Sequence, residues 1–137
     1  MKLIDANVLM YAIGKAHPLK APSFKFLEAV TKDKIRANID IEALQEILHI
    51  YHRRKETEKG LLACDRYLLM FPNPITVDTM CIRKGRDMLG KYPHLAARDA
   101  VHIGVVLTYQ LEGIVSVDKH FDRVKEIRRF DPREIAE

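Results

Sequence analysis

Short apolar runs alternate along this chain with longer segments that have a helical repeat. The short runs predict five β-strands, at residues 2–4, 35–39, 75–77, 113–117 and 127–130. Between them, apolar side chains recur every three or four residues, which is the spacing of an amphipathic helix. Strands that alternate with helices are typical of βαβ units. The pattern therefore predicts an α/β fold with a parallel, mostly five-stranded sheet covered by helices on both faces.

Length and composition agree with one folded unit. The chain has 137 residues, of which 47% are hydrophobic and 31% are charged, with both signs interspersed. We expect one domain over residues 1–137 rather than a disordered chain. No run approaches the ~20 apolar residues that cross a bilayer, and no signal-peptide pattern follows Met1. We therefore expect no membrane segment and a cytoplasmic location. Cys64 and Cys81 have no metal-ligand spacing and are expected to be reduced thiols in the core.

The balance of charge is mildly basic. The net charge is +4 and the pI is about 9.1, which permits an anionic partner without requiring one. Cations cluster at residues 52–59, 83–86 and 119–129. Lys119 and Arg123 are the best candidates for contacting a phosphate backbone, because they lie beside acids that we assign to a catalytic site.

Two of the acids follow predicted strands. Asp5 comes directly after the first strand, and Asp118 comes directly after the fourth. The carboxyl ends of parallel strands share one edge of the sheet, and ligands of such folds bind there. Asp122 follows Asp118 by four residues and could join the same site, although its surroundings also fit an ordinary charged surface.

Two further acids lie on predicted helices close to strand ends. Glu46 sits between Leu44 and Leu48 in the helix after the second strand. Asp99 lies early in a strongly apolar helix that is rich in small residues. A site that collected these acids would be crowded and partly buried.

Carboxylates that converge in this way repel one another unless cations lie among them. Oxygen ligands without a Cys/His cluster indicate Mg²⁺ or Mn²⁺ rather than zinc. Such ions can activate water and stabilise a leaving oxygen in phosphodiester hydrolysis. The predicted metal ligands are Asp5, Glu46, Asp99, Asp118 and, as an additional acid, Asp122.

Each acid also has an explanation that needs no metal. Asp5 and Asp118 could cap the helix or turn that follows them. Glu46 could be a solvated helix acid, and Asp99 could pair with Arg98. The joint pattern favours a metal site because all of these acids fall at strand ends or on the helices that follow.

Other enzyme and binding classes fit less well. A phosphatase with an aspartyl nucleophile would have a second Asp two residues after Asp5, where Asn7 stands. A receiver domain needs an acidic pair after the first strand. Arg98 and His102 are similar to the Arg–His pairs of all-helical ribonucleases, but the strand signals contradict an all-helical fold.

Several stretches in the order seen here resemble the PIN domain family, and the length resembles its VapC-type toxin nucleases. The stretches are "LIDANVLMYA", "ALQEILHIY", "AARDAVHIGVVL", "GIVSVDKHFDRV" and "RRFDP". The resemblance implies a three-layer α/β/α sandwich and metal-dependent endoribonuclease activity on RNA. It also implies a cognate antitoxin and a homodimer.

Carried over by position, the resemblance implies a catalytic quartet of acids. Its members are Asp5, Glu46, Asp99 and Asp118. Asn7 matches the small polar residue that accompanies the first acid, and its amide could orient Asp5. The alternative is a PIN-like domain that binds RNA or a protein without cleaving anything.

Overall fold

The computed structural model describes residues 1–135, in which strands and helices alternate. The strands are β1 (Lys2–Ile4), β2 (Ala37–Asn38), β3 (Ile114–Val115) and β4 (Arg129–Phe130). The α-helices are α1 (Ala6–Ile13), α2 (Lys20–Thr31), α3 (Ile41–Arg53), α4 (Thr57–Met70), α5 (Thr79–Lys91), α6 (Ala97–Thr108) and α7 (Pro132–Ile135). A 3₁₀ turn covers Lys119–Arg123. Among these helices, none has the length and apolar character needed to cross a membrane.

The sheet is parallel throughout, in the order β2-β1-β3-β4. In β1, Leu3 pairs with Asn38 on one side and with Ile114 on the other. In the outer pair, Val115 pairs with Phe130. All four carboxyl ends therefore lie at one edge of the sheet, as the sequence predicted.

The predicted strand at residues 75–77 is reduced to a single parallel bridge between Asp40 and Ile75. Ile75 donates its N–H to the Ile39 carbonyl at 2.8 Å, and its own carbonyl accepts from the Ile41 N–H at 3.0 Å. Pro74 has no N–H to extend the ladder before this point. Asp78 then caps α5 by accepting from the Cys81 N–H, so the segment has no room for a full strand.

Two hydrophobic clusters lie on opposite faces of the sheet. Because neighbouring strand residues point to opposite faces, Ile4 packs into the cluster beneath α1–α4 and Leu3 into the cluster beneath α5 and α6. Both side chains are fully buried. Helices therefore cover both faces, and the predicted three-layer α/β/α architecture is confirmed.

The close packing of α5 against α6 sets the position of the helix that carries Asp99. A Cβ atom on Gly104 would overlap the backbone oxygen of Cys81, and one on Gly85 would lie 2.8 Å from that of Ala100. Only glycine permits so short an approach between the two helix backbones. Cys81 is buried and Cys64 half-buried, and both are free thiols, as predicted.

Candidate active site

Asp5 lies in the N-cap position of α1 but does not cap the helix with its side chain. Instead, its Oδ2 accepts a hydrogen bond of 2.6 Å from the hydroxyl of Ser116, which follows β3. Asp5 is only 3% exposed. The capping explanation considered from the sequence therefore does not account for this buried carboxylate.

The four predicted catalytic carboxylates influence one another at the carboxyl edge of the sheet. Burial raises the pKa of Asp5 from 3.8 to about 7, and the nearby charges of Glu46 and Asp99 add to the increase. Burial also raises the pKa of Asp99, helped by the charges of Glu46 and Asp118. The structure thus brings together acids that are far apart in the sequence, and negative charge is unfavourable where they meet.

His102 lies fully buried between two of the carboxylates. Its Nδ1 is 2.6 Å from Oδ2 of Asp40, and its Nε2 is 2.8 Å from Oε1 of Glu46. Oδ1 of Asp5 lies 3.8 Å from the same Nε2. Burial alone would lower the pKa of His102, but the Asp40 carboxylate and these hydrogen bonds raise it well above its ordinary value. The ring therefore donates at both nitrogens and carries a positive charge into the acidic site.

Asp40 connects this histidine to the start of α3. Its Oδ1 accepts from the Ala43 N–H at 2.9 Å and caps the helix, while its Oδ2 accepts from His102. Glu46 lies on the same helix and accepts from the other side of the ring. The His102 ring on α6 thus bonds to both Asp40 and Glu46 at α3. These bonds hold the two helices together and fix the orientation of Glu46.

Ser116 links three other residues of the site. Its Oγ donates to Asp5 and accepts from Nδ2 of Asn7 at 3.1 Å and from the Asp118 N–H at 3.0 Å. Asp118 is 31% exposed at its side chain, and its Oδ1 accepts from the His120 N–H at 2.9 Å. Asp118 therefore caps the 3₁₀ turn and still contributes charge beside Asp99, so its capping role does not remove it from the acidic group.

Three predicted residues lie on the 3₁₀ turn itself. Lys119 and Arg123 are exposed there. Both oxygens of Asp122 accept from Arg129, at 2.8 and 3.0 Å, and this pairing lowers the pKa of Asp122. The ion pair ties the turn to β4, so the structure gives Asp122 a contact outside the buried acidic group. Its assignment as a metal ligand stays a prediction.

The donor set fits a divalent cation. Ligand atoms of Asp5, Glu46 and His102 lie within 4.8 Å of one another. Because His102 is protonated at both nitrogens, the two carboxylates are the groups of this trio that can bind a cation. Carboxylate oxygens suit Mg²⁺ and Mn²⁺, whereas an imidazole nitrogen suits transition metals better. The raised pKa values of Asp5 and Asp99 mean that a bound cation would offset an unfavourable concentration of negative charge.

Three residues were not assigned to this site by the sequence reasoning, namely Asp40, His102 and Ser116. His102 follows Asp99 by three residues, so the helical repeat places both on one face of α6 and could have indicated it. Asp40 directly precedes a predicted helix, where Asp is a common N-cap, so its position gave no reason to assign it to the site. Ser116 had no sequence signal, because a serine after an apolar strand is common.

The sequence model of the PIN domain family matches residues 2–127. This chain belongs to the PIN domain family. Among curated relatives, ribonuclease VapC13 of Mycobacterium tuberculosis and a VapC ribonuclease of Mycobacterium bovis are each 33% identical over 130 residues. These alignments cover 95% of this chain and 99% of each relative.

Several solved structures share the fold of this chain. The VapBC2 complex of Rickettsia felis, bound to a promoter DNA fragment, matches with a TM-score of 0.74 at 16% identity, covering 95% of this chain and 98% of that chain. The FitAcB structure of Neisseria gonorrhoeae matches with a TM-score of 0.73 at 15% identity, covering 98% and 100% respectively. At these identities the likeness concerns the fold alone.

Proposed function

We propose that this PIN domain protein is a metal-dependent endoribonuclease and the toxin of a toxin–antitoxin pair. The observation that carries the proposal is the buried group of carboxylates at the carboxyl edge of the sheet, in which burial raises the pKa of Asp5 to about 7. A structural domain gains nothing by burying mutually repelling acids. The names of the curated relatives, which are ribonucleases, support the reaction class.

In this proposal, Asp5, Glu46, Asp99 and Asp118 hold Mg²⁺ or Mn²⁺. A divalent ion in such a site activates water and offsets the negative charge that develops on a phosphodiester. No serine, cysteine or histidine nucleophile is required. Asp5 must be ionised to bind a cation, so its raised pKa makes metal binding stronger as the pH rises through about 7.

The surrounding residues orient these ligands. The hydrogen bond from His102 holds Oε1 of Glu46 at 2.8 Å, and Asp40 holds His102 from the other side. The Ser116 hydroxyl directs Oδ2 of Asp5, and the Asn7 amide in turn directs Ser116. We assign four positioning residues, namely His102, Asp40, Ser116 and Asn7. They hold the ligands in one orientation, so that the ligands need not reorganise when a cation binds.

The partners belong to the same proposal. We assign Lys119 and Arg123 to the RNA backbone because both are exposed on the 3₁₀ turn that Asp118 caps. Asp122 is retained as an additional acid near the metal. An antitoxin that inhibits the enzyme is supported by a structural neighbour that is a toxin–antitoxin complex from Klebsiella pneumoniae. A homodimer stays a prediction. A cytoplasmic location stays a prediction.

The proposal is tested by cleavage of a mixed-sequence single-stranded RNA with Mg²⁺, with Mn²⁺ or with EDTA. We expect cleavage with either metal, none with EDTA, and a loss of at least ~100-fold in Asp99→Asn, because one ligand is removed. Asp65→Asn is the matched control, because Asp65 is an exposed acid on α4. Circular dichroism verifies that both variants are folded.

Cleavage by Asp99→Asn at the wild-type rate, or wild-type cleavage that persists in EDTA, contradicts the mechanism. No cleavage under any condition, together with no heat of Mg²⁺ or Mn²⁺ binding in calorimetry, indicates the alternative of a non-catalytic domain that binds RNA or a protein.

A further inference from the structure

A groove of about 730 Å³ lies between α1, the end of α3 and α4. We call it the α1–α4 groove. Asn7 lies at one end of its lining, and Lys15 and His17, in the loop after α1, lie at the other. A helix rises about 1.5 Å per residue, so the part of α1 from Asn7 to Ile13 alone extends about 9 Å. The groove is therefore long enough for more than one nucleotide of an extended strand.

The rim of the α1–α4 groove is strongly cationic. Lys15, Arg54, Lys59 and Arg66 line it, and all four side chains are exposed. Among the described lining residues, the one acid is Glu56, whose carboxylate accepts from Nζ of Lys59 at 2.9 Å. That hydrogen bond, together with the nearby charges of Lys15 and Arg54, lowers the pKa of Glu56. Most of the positive charge is left without a partner in the groove.

The floor of the groove is apolar and aromatic. Met10, Ile13 and Ala63 contribute apolar surface. The rings of Tyr11 and His17 lie 4.7 Å apart at an interplanar angle of 35°. Apolar and aromatic surface flanked by cations is the arrangement that binds single-stranded nucleic acid, with bases against rings and phosphates against the cations.

The groove is connected to the candidate active site through Asn7. Nδ2 of Asn7 donates to Ser116, and Ser116 donates to Asp5. Oδ1 of Asn7 is buried without a hydrogen-bond partner among the described residues. A strand lying along the groove would therefore reach Asn7, which is linked to Asp5 through Ser116.

We propose that the α1–α4 groove binds the single-stranded RNA that flanks the scissile phosphodiester, with Arg54, Arg66, Lys15 and Lys59 on the phosphates and Tyr11 beneath a base. This inference rests on the proposed ribonuclease function and deepens it. An acidic peptide would also be attracted by the rim. The paired rings and the continuity with the acidic site favour RNA.

The first experiment measures RNA binding separately from cleavage. Anisotropy of a labelled mixed-sequence single-stranded RNA is recorded in EDTA at several salt concentrations, on the Asp99→Asn background. The test variant combines Arg54→Gln and Arg66→Gln. The matched control combines Arg83→Gln and Arg86→Gln, which removes the same charge from exposed positions on α5. Thermal unfolding verifies that both are folded.

Loss of two phosphate contacts has a defined signature. We expect the slope of log K against log salt to fall by about 1.4, because each contact to a single strand contributes about 0.7. We expect affinity to fall about tenfold or more at low salt in the test variant and less than twofold in the control. Tyr11→Leu keeps an apolar floor without the ring, and we expect it to weaken binding about tenfold with an unchanged salt slope.

Cleavage assays with the catalytic Asp99 restored separate this inference from the function on which it rests. If the wild-type protein cleaves RNA, and the groove variant has a raised KM with an unchanged kcat, the inference is supported. If the wild-type protein cleaves RNA and the groove variant binds and cleaves like the control, the inference is overturned while the ribonuclease proposal stands. If RNA binds through the groove and no metal cleaves it, the groove assignment stands and the ribonuclease proposal fails.

Discussion

Asp5→Asn removes the most perturbed carboxylate of the site while nearly preserving its shape. The Asn carbonyl oxygen can still accept the 2.6 Å hydrogen bond that Ser116 donates to Asp5. The substitution removes a negative charge that burial and the charges of Glu46 and Asp99 make unfavourable. We therefore expect the variant to be inactive. Without metal, we expect it to be more stable than the metal-free wild type near neutral pH.

The size of the effect follows from the pKa of Asp5. Its pKa is about 7 in the folded protein and 3.8 as the ordinary value. A carboxyl group with a raised folded pKa binds more protons when folded, so its contribution to stability is present at low pH and is lost as the pH rises through about 7. Each pKa unit corresponds to about 1.4 kcal/mol, so the ionised carboxylate destabilises the fold by about 4 kcal/mol at about pH 8. At about pH 5, Asp5 is protonated in the folded protein but ionised in the unfolded chain. This difference destabilises the fold by about 2 kcal/mol.

The assay is urea unfolding in EDTA at the two pH values, with Asp65→Asn as an exposed control. We expect the stability of Asp5→Asn relative to the wild type to increase by about 2–3 kcal/mol from about pH 5 to about pH 8. The control should change by less than ~0.5 kcal/mol. Saturating Mg²⁺ should then stabilise the wild type at about pH 8 and have little effect on Asp5→Asn.

A pH-independent difference between Asp5→Asn and the wild type would refute the reasoning, because it would mean that Asp5 is already ionised without penalty at about pH 5. Equal stabilisation of both proteins by Mg²⁺ would remove Asp5 from the metal ligands.

The remaining predictions concern the supports of the site. His102→Gln should destabilise the metal-free protein by about 3–5 kcal/mol in urea unfolding, because Asp40 and Glu46 lose their buried cation; a change below ~1 kcal/mol would contradict the ion-pair assignment. Gly104→Ala should lower the Tm, although alanine favours helices, because its Cβ would overlap the Cys81 backbone oxygen; an unchanged or higher Tm would argue against the close α5–α6 contact. Tyr67→Phe should cost about 1–3 kcal/mol, because the buried Leu9 carbonyl loses its 2.5 Å hydrogen bond; a cost near zero would show that this bond is replaced.

Much of the fold was predictable because it depends on local pattern. Helical and strand repeats placed most of the elements, and the alternation of strands with helices implied a parallel sheet. A parallel sheet in turn puts Asp5 and Asp118 at one edge, because each of them directly follows a strand. The predicted strand at residues 75–77 was the exception, because Pro74 before it and the Asp78 cap after it leave a single bridge.

The candidate site was predictable only in part. The repeat placed Glu46 and Asp99 on helices near the strand ends, but it could not show what surrounds them. Asp40 and His102 lie 62 residues apart in the sequence, and Glu46 and His102 lie 56 residues apart, yet their side chains meet within hydrogen-bond distance. No local pattern carries information about contacts of that range.

The sequence by itself determined which acids this protein has, which strand ends and helices carry them, and therefore the class of chemistry that they suit. The tertiary structure alone decided which carboxylates are buried, which ones accept hydrogen bonds from Ser116 and His102, and which one pairs with Arg129. The physical reason is that an ionisable group changes its behaviour through the loss of water and the approach of other charges. Both depend on the distances between side chains that only the packed fold establishes.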